Sequence, residues 1–352
     1  SQANLYGFGR LAWDPNLSSK TIIEEWTRLT FGDDPLVVRT ITDMNLRSWL
    51  VYEKYTGPLG LQTLTEITGN HYGVAVEASE NNGWGQWHRA DSKGVGMDRT
   101  VATGTGYIGQ YRPAVAKMFE SLETCPDDLL LFMHHVPYTH KLHSGKTVIQ
   151  YLYDSHYEGA EAAEGYVRDW KLLEGRVDEQ RYKEILAQLV YQAGAAELWR
   201  DAVAGWFFKT SGIPDEKGRV GNYPGRIEAE SMKLEGYTPR KVIHFETASG
   251  ETAVRCPAER CAASFQHQGL DGWRTLKVRY FDYGQGVARF RLLVNGQLID
   301  EWLADDTLPS RRMEPDGTSS TRRMVYGVAL RKGDEVRIEG YPDRPEDAAL
   351  DY

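Results

Sequence analysis

The chain has 352 residues, 41 Lys and Arg against 50 Asp and Glu, a formal net charge of -9, and 3 cysteines. That length suits about two domains of roughly 100–200 residues each. The acidic balance argues against a nucleic-acid backbone as partner, and three thiols are too few for a disulfide framework. No apolar run approaches the roughly 20 residues that a membrane-spanning helix needs, the longest candidate being Leu129 to Met133.

The sequence opens on Ser1 without a basic and apolar leader, which leads to the expectation of a processed product or a fragment. Asn16-Leu17-Ser18 has the form of a glycosylation acceptor, but Asn16 and Ser18 also suit the turn before a helix, and the turn is the expectation. Behind Ser18 and Ser19, Ile22, Ile23, Trp26 and Leu29 fall at helical spacing. Asp34-Pro35 opens a second helix, whose apolar positions Val37, Val38, Ile41, Leu46, Trp49 and Leu50 run to a stop at Gly57-Pro58. Further helices are predicted over 108–123, 145–173 and 178–209, the last with Ile185, Leu189, Gln192 and Ala196 along one face.

Residues 61–143 hold polar and aromatic clusters that neither period explains, and loops of that composition usually serve a site. His71, Tyr72 and Gly73 lead through a Gly/Asn-rich bend to Trp84, Trp87, His88, Arg89, Ala90 and Asp91, then to Gly94, Gly96, Asp98, Arg99 and Thr100. Such a mixture suits a sugar: indole faces cover the apolar faces of pyranose rings, while Arg, His and Asp bond hydroxyls or a uronate carboxylate. Packing is an equal reading for Trp84 and Trp87, and a structural ion-pair network is an equal one for Arg89, Asp91, Asp98 and Arg99. His134, His135, His140 and His143 do not make a zinc site, because no acids or cysteines are spaced to complete a tetrahedron.

Residues 213–225 combine breakers with few apolar residues and no period, which is linker composition. Beyond them Leu276, Val278 and Tyr280, then Phe290, Leu292 and Val294, then Val336 and Ile338 alternate as half-buried strands do. Asn295-Gly296 marks a hairpin, and Gly333-Asp334 a weaker turn. The division is therefore a helical domain over 1–212, a linker over 213–225, and a β-sandwich or jelly-roll domain over 226–352. Cys256 and Cys261 are close enough in sequence for one bridge, but spacing does not establish geometry, and buried thiols are the expectation.

The run Ala3-Asn4-Leu5-Tyr6-Gly7-Phe8-Gly9-Arg10-Leu11-Ala12-Trp13-Asp14-Pro15 resembles the segment that leaves the catalytic barrel of family 67 α-glucuronidases. Pro58-Leu59-Gly60-Leu61, His71-Tyr72-Gly73, Trp87-His88-Arg89-Ala90-Asp91, Gly94 to Thr100 and Leu131 to Pro137 follow in family order. The resemblance implies a hydrolase that removes (4-O-methyl-)glucuronic acid from terminal xylose of xylooligosaccharides, with inversion and without a catalytic metal. It places the catalytic carboxylates on a (β/α)8 barrel upstream, so no catalytic residue is assigned here. Inversion needs two carboxyl groups about 6.5–9.5 Å apart, and no such pair stands out. The family's helical C-terminal domain helps close the sugar pocket and supports a homodimer, which makes His71, Tyr72, Trp84, Trp87, His88, Arg89, Asp91, Asp98 and Arg99 substrate-binding candidates. Relatives have a Trp-rich, Tyr-Tyr-His approach where this chain reads Gly83-Trp84-Gly85-Gln86-Trp87-His88. The alternative reading is a non-catalytic xylan-binding or assembly module.

Gly225-Arg226-Ile227-Glu228-Ala229-Glu230 resembles the opening strand of carbohydrate-binding modules of families 6 and 35, and Ala349-Leu350-Asp351-Tyr352 the start of their closing strand. That resemblance implies a structural calcium on Glu228, Glu230 and Asp351, a hard cation on oxygen ligands. It also implies a closing strand that runs beyond Tyr352, hence truncation at both ends. The extension is a feature of fungal members, from which a secreted, extracellular parent is expected.

Overall fold

The computed structural model describes residues 2–61, 73–76, 90–243, 245–305, 308 and 313–352. A helical region is followed by a β-sheet region. Helices α1 (Gln2–Trp13), α2 (Ser19–Phe31) and α3 (Pro35–Thr56) form a row, α2 packing on both neighbours. The Ser18 hydroxyl caps α2 by accepting from Thr21 N at 3.1 Å, and Asp34 caps α3 by accepting from Leu36 N and Val37 N at 2.8 and 3.3 Å. Short oxygen-bearing side chains at these positions satisfy amides that lack a helical partner, and Pro35 has no amide to lose. The Asn16-Leu17-Ser18 segment is thus the expected turn before α2.

Helix α4 spans only Pro113–Glu120, where a helix over 108–123 was expected. The cause is Pro113, whose ring keeps Arg112 extended (φ -58°, ψ 147°), so Tyr107–Gln110 forms a separate 3-10 turn. After the short α5 (Leu130–Met133), the long helices α6 (Val148–Lys171) and α7 (Glu179–Ser211) are capped by Thr147 and Asp178, and α7 stops at Gly212 with φ 68°. Together with α3 they bury Leu152, Tyr153, Ala196, Val203 and Phe207. Each large side chain among them contributes about 1.5–3 kcal/mol. The α3–α6 crossing depends on Gly159, where a Cβ would stand 2.6 Å from Tyr55 N. Among the described residues no helix is long and apolar enough to cross a membrane.

Residues 213–225 carry no regular element but are fastened to α6. The Tyr153 hydroxyl donates to Ile213 O at 2.8 Å. Buried Asp215 accepts from Gln150 Nε2 at 2.9 Å and from Arg219 Nε at 2.8 Å. Asp154 pairs with Lys146, Lys217 and Arg219.

The strands are β1 (Lys233–Glu235), β2 (Thr238–Lys241), β3 (Thr252–Arg255), β4 (Cys261–Gln266), β5 (Gly272–Phe281), β6 (Arg289–Val294), β7 (Gln297–Leu303), β8 (Ser320–Leu330) and β9 (Glu335–Tyr341). One antiparallel sheet has the order β1-β4-β9-β6-β7; β2 pairs with β3, and β5 with β8. Leu350 bridges Val254 of β3 and Tyr280 of β5, joining the two pairs through the last residues of the chain. Buried positions Val254, Val278, Tyr280, Phe290, Leu292, Trp302, Val336 and Ile338 belong to one core, and Val242, Ala253, Phe281 and Tyr283 to a smaller second one. Asn295 and Gly296, with φ of 49° and 79°, form the β6–β7 hairpin turn.

Cys256 and Cys261 form a disulfide, correcting the expectation of buried thiols. The backbone turns between the end of β3 and the start of β4, which brings the two Cα atoms to 5.6 Å. Cys125 is free and buried.

Helices and strands meet along a charged seam. Arg322 on β8 pairs with Glu197 of α7 at 2.9 Å and with Glu164 of α6, and Lys277 on β5 reaches Glu197 at 3.0 Å. Arg226 joins Asp201 of α7 at 2.8 Å.

Candidate functional site

Of the sugar-site candidates, His71, Tyr72, Trp84, Trp87, His88 and Arg89 lie outside the described residues. Asp91, Asp98 and Arg99 are described. Asp91 closes a turn, its Oδ1 accepting from Lys93 N at 2.7 Å and Gly94 N at 3.0 Å, with His135 Nε2 at 3.7 Å. Val95 then pairs with Ala90 and Val136. A Cβ on Gly94 or Gly96 would collide with the carbonyls of Val136 or His134, so the loop lies flat on residues 131–136 only because those positions are glycine.

Asp98 accepts from Thr100 N and Oγ1 and from Thr103 Oγ1. Burial works to raise its pKa, but these hydrogen bonds outweigh it and hold the carboxyl below its ordinary value. Arg99 donates to Phe132 O and lies 4.1 Å over the Phe132 ring; burial draws its guanidinium below the usual range. These three side chains hold the loop in shape.

Three of the four histidines of this run have structural partners. His134 Nε2 bonds Phe119 O at 2.7 Å, His135 Nδ1 bonds Gly96 O at 2.8 Å, and His143 bonds Asp127 at 2.7 Å. At the other end of the same stretch, Gly73 lies against the strand region, since a Cβ on Gly317 would stand 3.4 Å from Gly73 Cα.

The second candidate is the carboxylate group of Glu228, Glu230 and Asp351, which the structure brings to one place around Ser249. Ser249 N donates to Asp351 Oδ1 and Ser249 Oγ to Glu228 Oε1, both at 2.8 Å. Glu230 Oε1 is 3.8 Å from where a Cβ on Gly250 would stand. Asp351 is fully buried, with Arg279 Nε 3.2 Å from Oδ2. Burial pushes the Asp351 carboxyl up to about 7 against the pull of Arg279, and burial followed by the charge of Glu228 raises Glu230. Among the described residues Glu228 Oε2 and Glu230 Oε2 are buried and accept no hydrogen bond, while Asp351 Oδ2, also without one, keeps its ion pair with Arg279.

Orphaned carboxylate oxygens in this number are the donor chemistry of a hard cation. They are not gathered into a finished ligand shell, for no group of three acidic, histidine or cysteine side chains among the described residues is set to hold a metal. The sequence pointed to the three carboxylates but missed Ser249, Arg279 and Arg226, which organise them.

Residues 1–220 match the family described as the glycosyl hydrolase family 67 C-terminus. The "Probable alpha-glucuronidase A" of Aspergillus flavus is 49% identical over 359 residues, an alignment covering 100% of this chain and 43% of that protein. The alpha-glucuronidase A of Aspergillus tubingensis is 47% identical over 358 residues with the same coverage. The chain thus spans less than half the length of these curated relatives. Among solved structures, a family 35 carbohydrate binding module from Clostridium thermocellum covers 36% of this chain and 91% of its own, at 16% identity and a TM-score of 0.28. A CBM36 module in complex with calcium and xylotriose covers 33% and 93%, at 19% identity and a TM-score of 0.23.

Proposed function

This chain belongs to glycosyl hydrolase family 67, as its C-terminus, and from that premise we propose that it is the non-catalytic part of an α-glucuronidase acting on (4-O-methyl-)glucuronic acid linked α-1,2 to terminal xylose of xylooligosaccharides. The observation that carries this is the alignment of the whole chain, at 49% identity, with less than half of a fungal alpha-glucuronidase A. In this reading the acid and base of an inverting mechanism lie in the remaining polypeptide. Residues 1–212 help close the sugar pocket, with His71, Tyr72, Trp84, Trp87, His88, Arg89, Asp91, Asp98 and Arg99 as the residues that meet the sugar and its uronate.

Helices α1 and α3 supply the surface for the catalytic part and for a second copy. Leu5, Phe8, Trp13, Trp49 and Leu50 are all more than half exposed there, a face that water alone does not favour. Residues 226–352 form a jelly-roll of the kind found in carbohydrate-binding modules, joined through 213–225, and the parent is secreted. A calcium ion bound by Glu228, Glu230 and Asp351 ties the start of that domain to its end. The ion would offset two of the three carboxylate charges and take up the orphaned oxygens of Glu228 and Glu230. Proton NMR of the natural full-length polypeptide acting on an aldouronic acid tests the enzymatic reading. The β-anomer of methylglucuronic acid appears first if the reading holds; initial α-anomer, or no release, overturns it.

A further inference from the structure

We propose that Arg226 is a positioning residue that couples cation binding at Glu228 and Asp351 to the docking of the strand region on α7; the proposal rests on the calcium reading above. Arg226 donates in two directions. One guanidinium nitrogen meets Asp201 Oδ2 on α7 at 2.8 Å, and the other meets Ser249 Oγ at 3.0 Å. Its Cζ lies 3.7 Å from the centre of the Tyr223 ring and 4.2 Å from that of the Tyr352 ring. The Arg226 side chain is 10% exposed and that of Asp201 3%. A planar fork can serve both acceptors at once, which a lysine ammonium on a flexible stem does not reproduce.

The consequence lies in the Ser249 hydroxyl, which has a single proton to donate. With Arg226 donating to its oxygen, that proton is committed to Glu228 Oε1. The carboxylate is thereby fixed in rotation, and Glu228 Oε2, which accepts no hydrogen bond among the described residues, is the atom left to meet a cation. Ser249 N holds Asp351 by the same residue. Asp201 on a helix of one region therefore orients cation ligands in the other, through two intervening side chains. By thermodynamic reciprocity, an ion that fixes Glu228 and Asp351 also fixes Ser249, and so holds Arg226 on Asp201.

Charge alone predicts the opposite sign, which makes the coupling testable. Arg226 is a cation near a cation site, so removing its charge would tighten calcium binding if it acted only through space. Calcium titration calorimetry on the 352-residue chain, its Arg226→Gln, Arg226→Lys and Ser249→Ala variants decides between them. Arg226→Gln and Ser249→Ala are expected to weaken calcium binding about tenfold or more, as loss of a partner that orients a ligand usually does, and Arg226→Lys to restore little. Calcium is also expected to slow tryptic cleavage after Lys217 and Arg219 in the native chain and not in Arg226→Gln. Ser249→Ala leaves the Arg226–Asp201 pair in place, so its result stands even if Arg226→Gln does not fold. Calcium binding by Arg226→Gln or Ser249→Ala equal to or tighter than native overturns the coupling while sparing the cation reading. No calcium binding by the native chain overturns both.

Discussion

Replacing Arg322 by Met removes the centre of the seam between helices and strands. The Arg322 side chain is 6% exposed, with Glu197 and Glu164 at 20% and 32%. Deleting one partner of a buried ion pair costs about 3–5 kcal/mol, because a charge is left without compensation. Two features reduce that here. Lys277 remains 3.0 Å from Glu197, and Glu164 is exposed enough to take up water, which limits its share to roughly 1 kcal/mol or less. The expected loss is about 2–3 kcal/mol, read from urea denaturation as a lower midpoint. Adding Glu197→Gln to Arg322→Met is expected to recover little, because Lys277 then loses its partner. A single variant within about 0.5 kcal/mol of the native chain, the range of ordinary surface changes, refutes the claim that the seam is a buried electrostatic contact.

Calcium is expected to raise the melting temperature of the strand region, by about 2.7 kcal/mol of stabilisation at a hundredfold excess over its dissociation constant; Glu228→Gln abolishes that gain, and a melting temperature indifferent to calcium and chelator removes the site. Glu346 is fully buried, and burial, then the charge of Asp282, push its carboxyl up to about 8 from 4.5. The native state therefore holds a proton there that the unfolded chain releases, so stability falls as pH rises from about 4.5 to about 8 and levels off above. Glu346→Gln flattens that slope in urea midpoints taken across the range, and parallel curves for the two proteins contradict the assignment. In the natural full-length enzyme, Trp87→Ala or Arg89→Ala lowers kcat/KM more than melting temperature, because a pocket wall orients substrate; unchanged kinetics with a lowered melting temperature would mean packing alone.

Local chemistry made much of the fold readable. Ser18, Asp34 and Asp178 announce helices because a cap acts over two or three residues, and Asn295-Gly296 announces a hairpin because the turn needs two positive φ angles. Helix α1 was not readable from period, since Leu5, Phe8 and Trp13 point to solvent and bury nothing within the chain. The Cys256–Cys261 bond depended on a turn that spacing does not specify. At the carboxylate group, resemblance supplied Glu228, Glu230 and Asp351. Ser249 and Arg279 come from distant segments that the strand pairing around Leu350 brings together, and Arg226, though close to Glu228 in sequence, has its partners Asp201 and Ser249 far from it along the chain. The Asp98–Thr100–Thr103 bonds are local, and they show why that acid shapes a loop as well as standing among the sugar candidates.

We propose that the catalytic carboxylates lie outside this chain, in the rest of the polypeptide. The direct measurement is release of methylglucuronic acid from an aldouronic acid by the purified 352-residue chain, beside the natural full-length protein at equal concentration. Release by the full-length protein, and none above the uncatalysed rate by the chain, is expected. Robust turnover by the chain alone contradicts it.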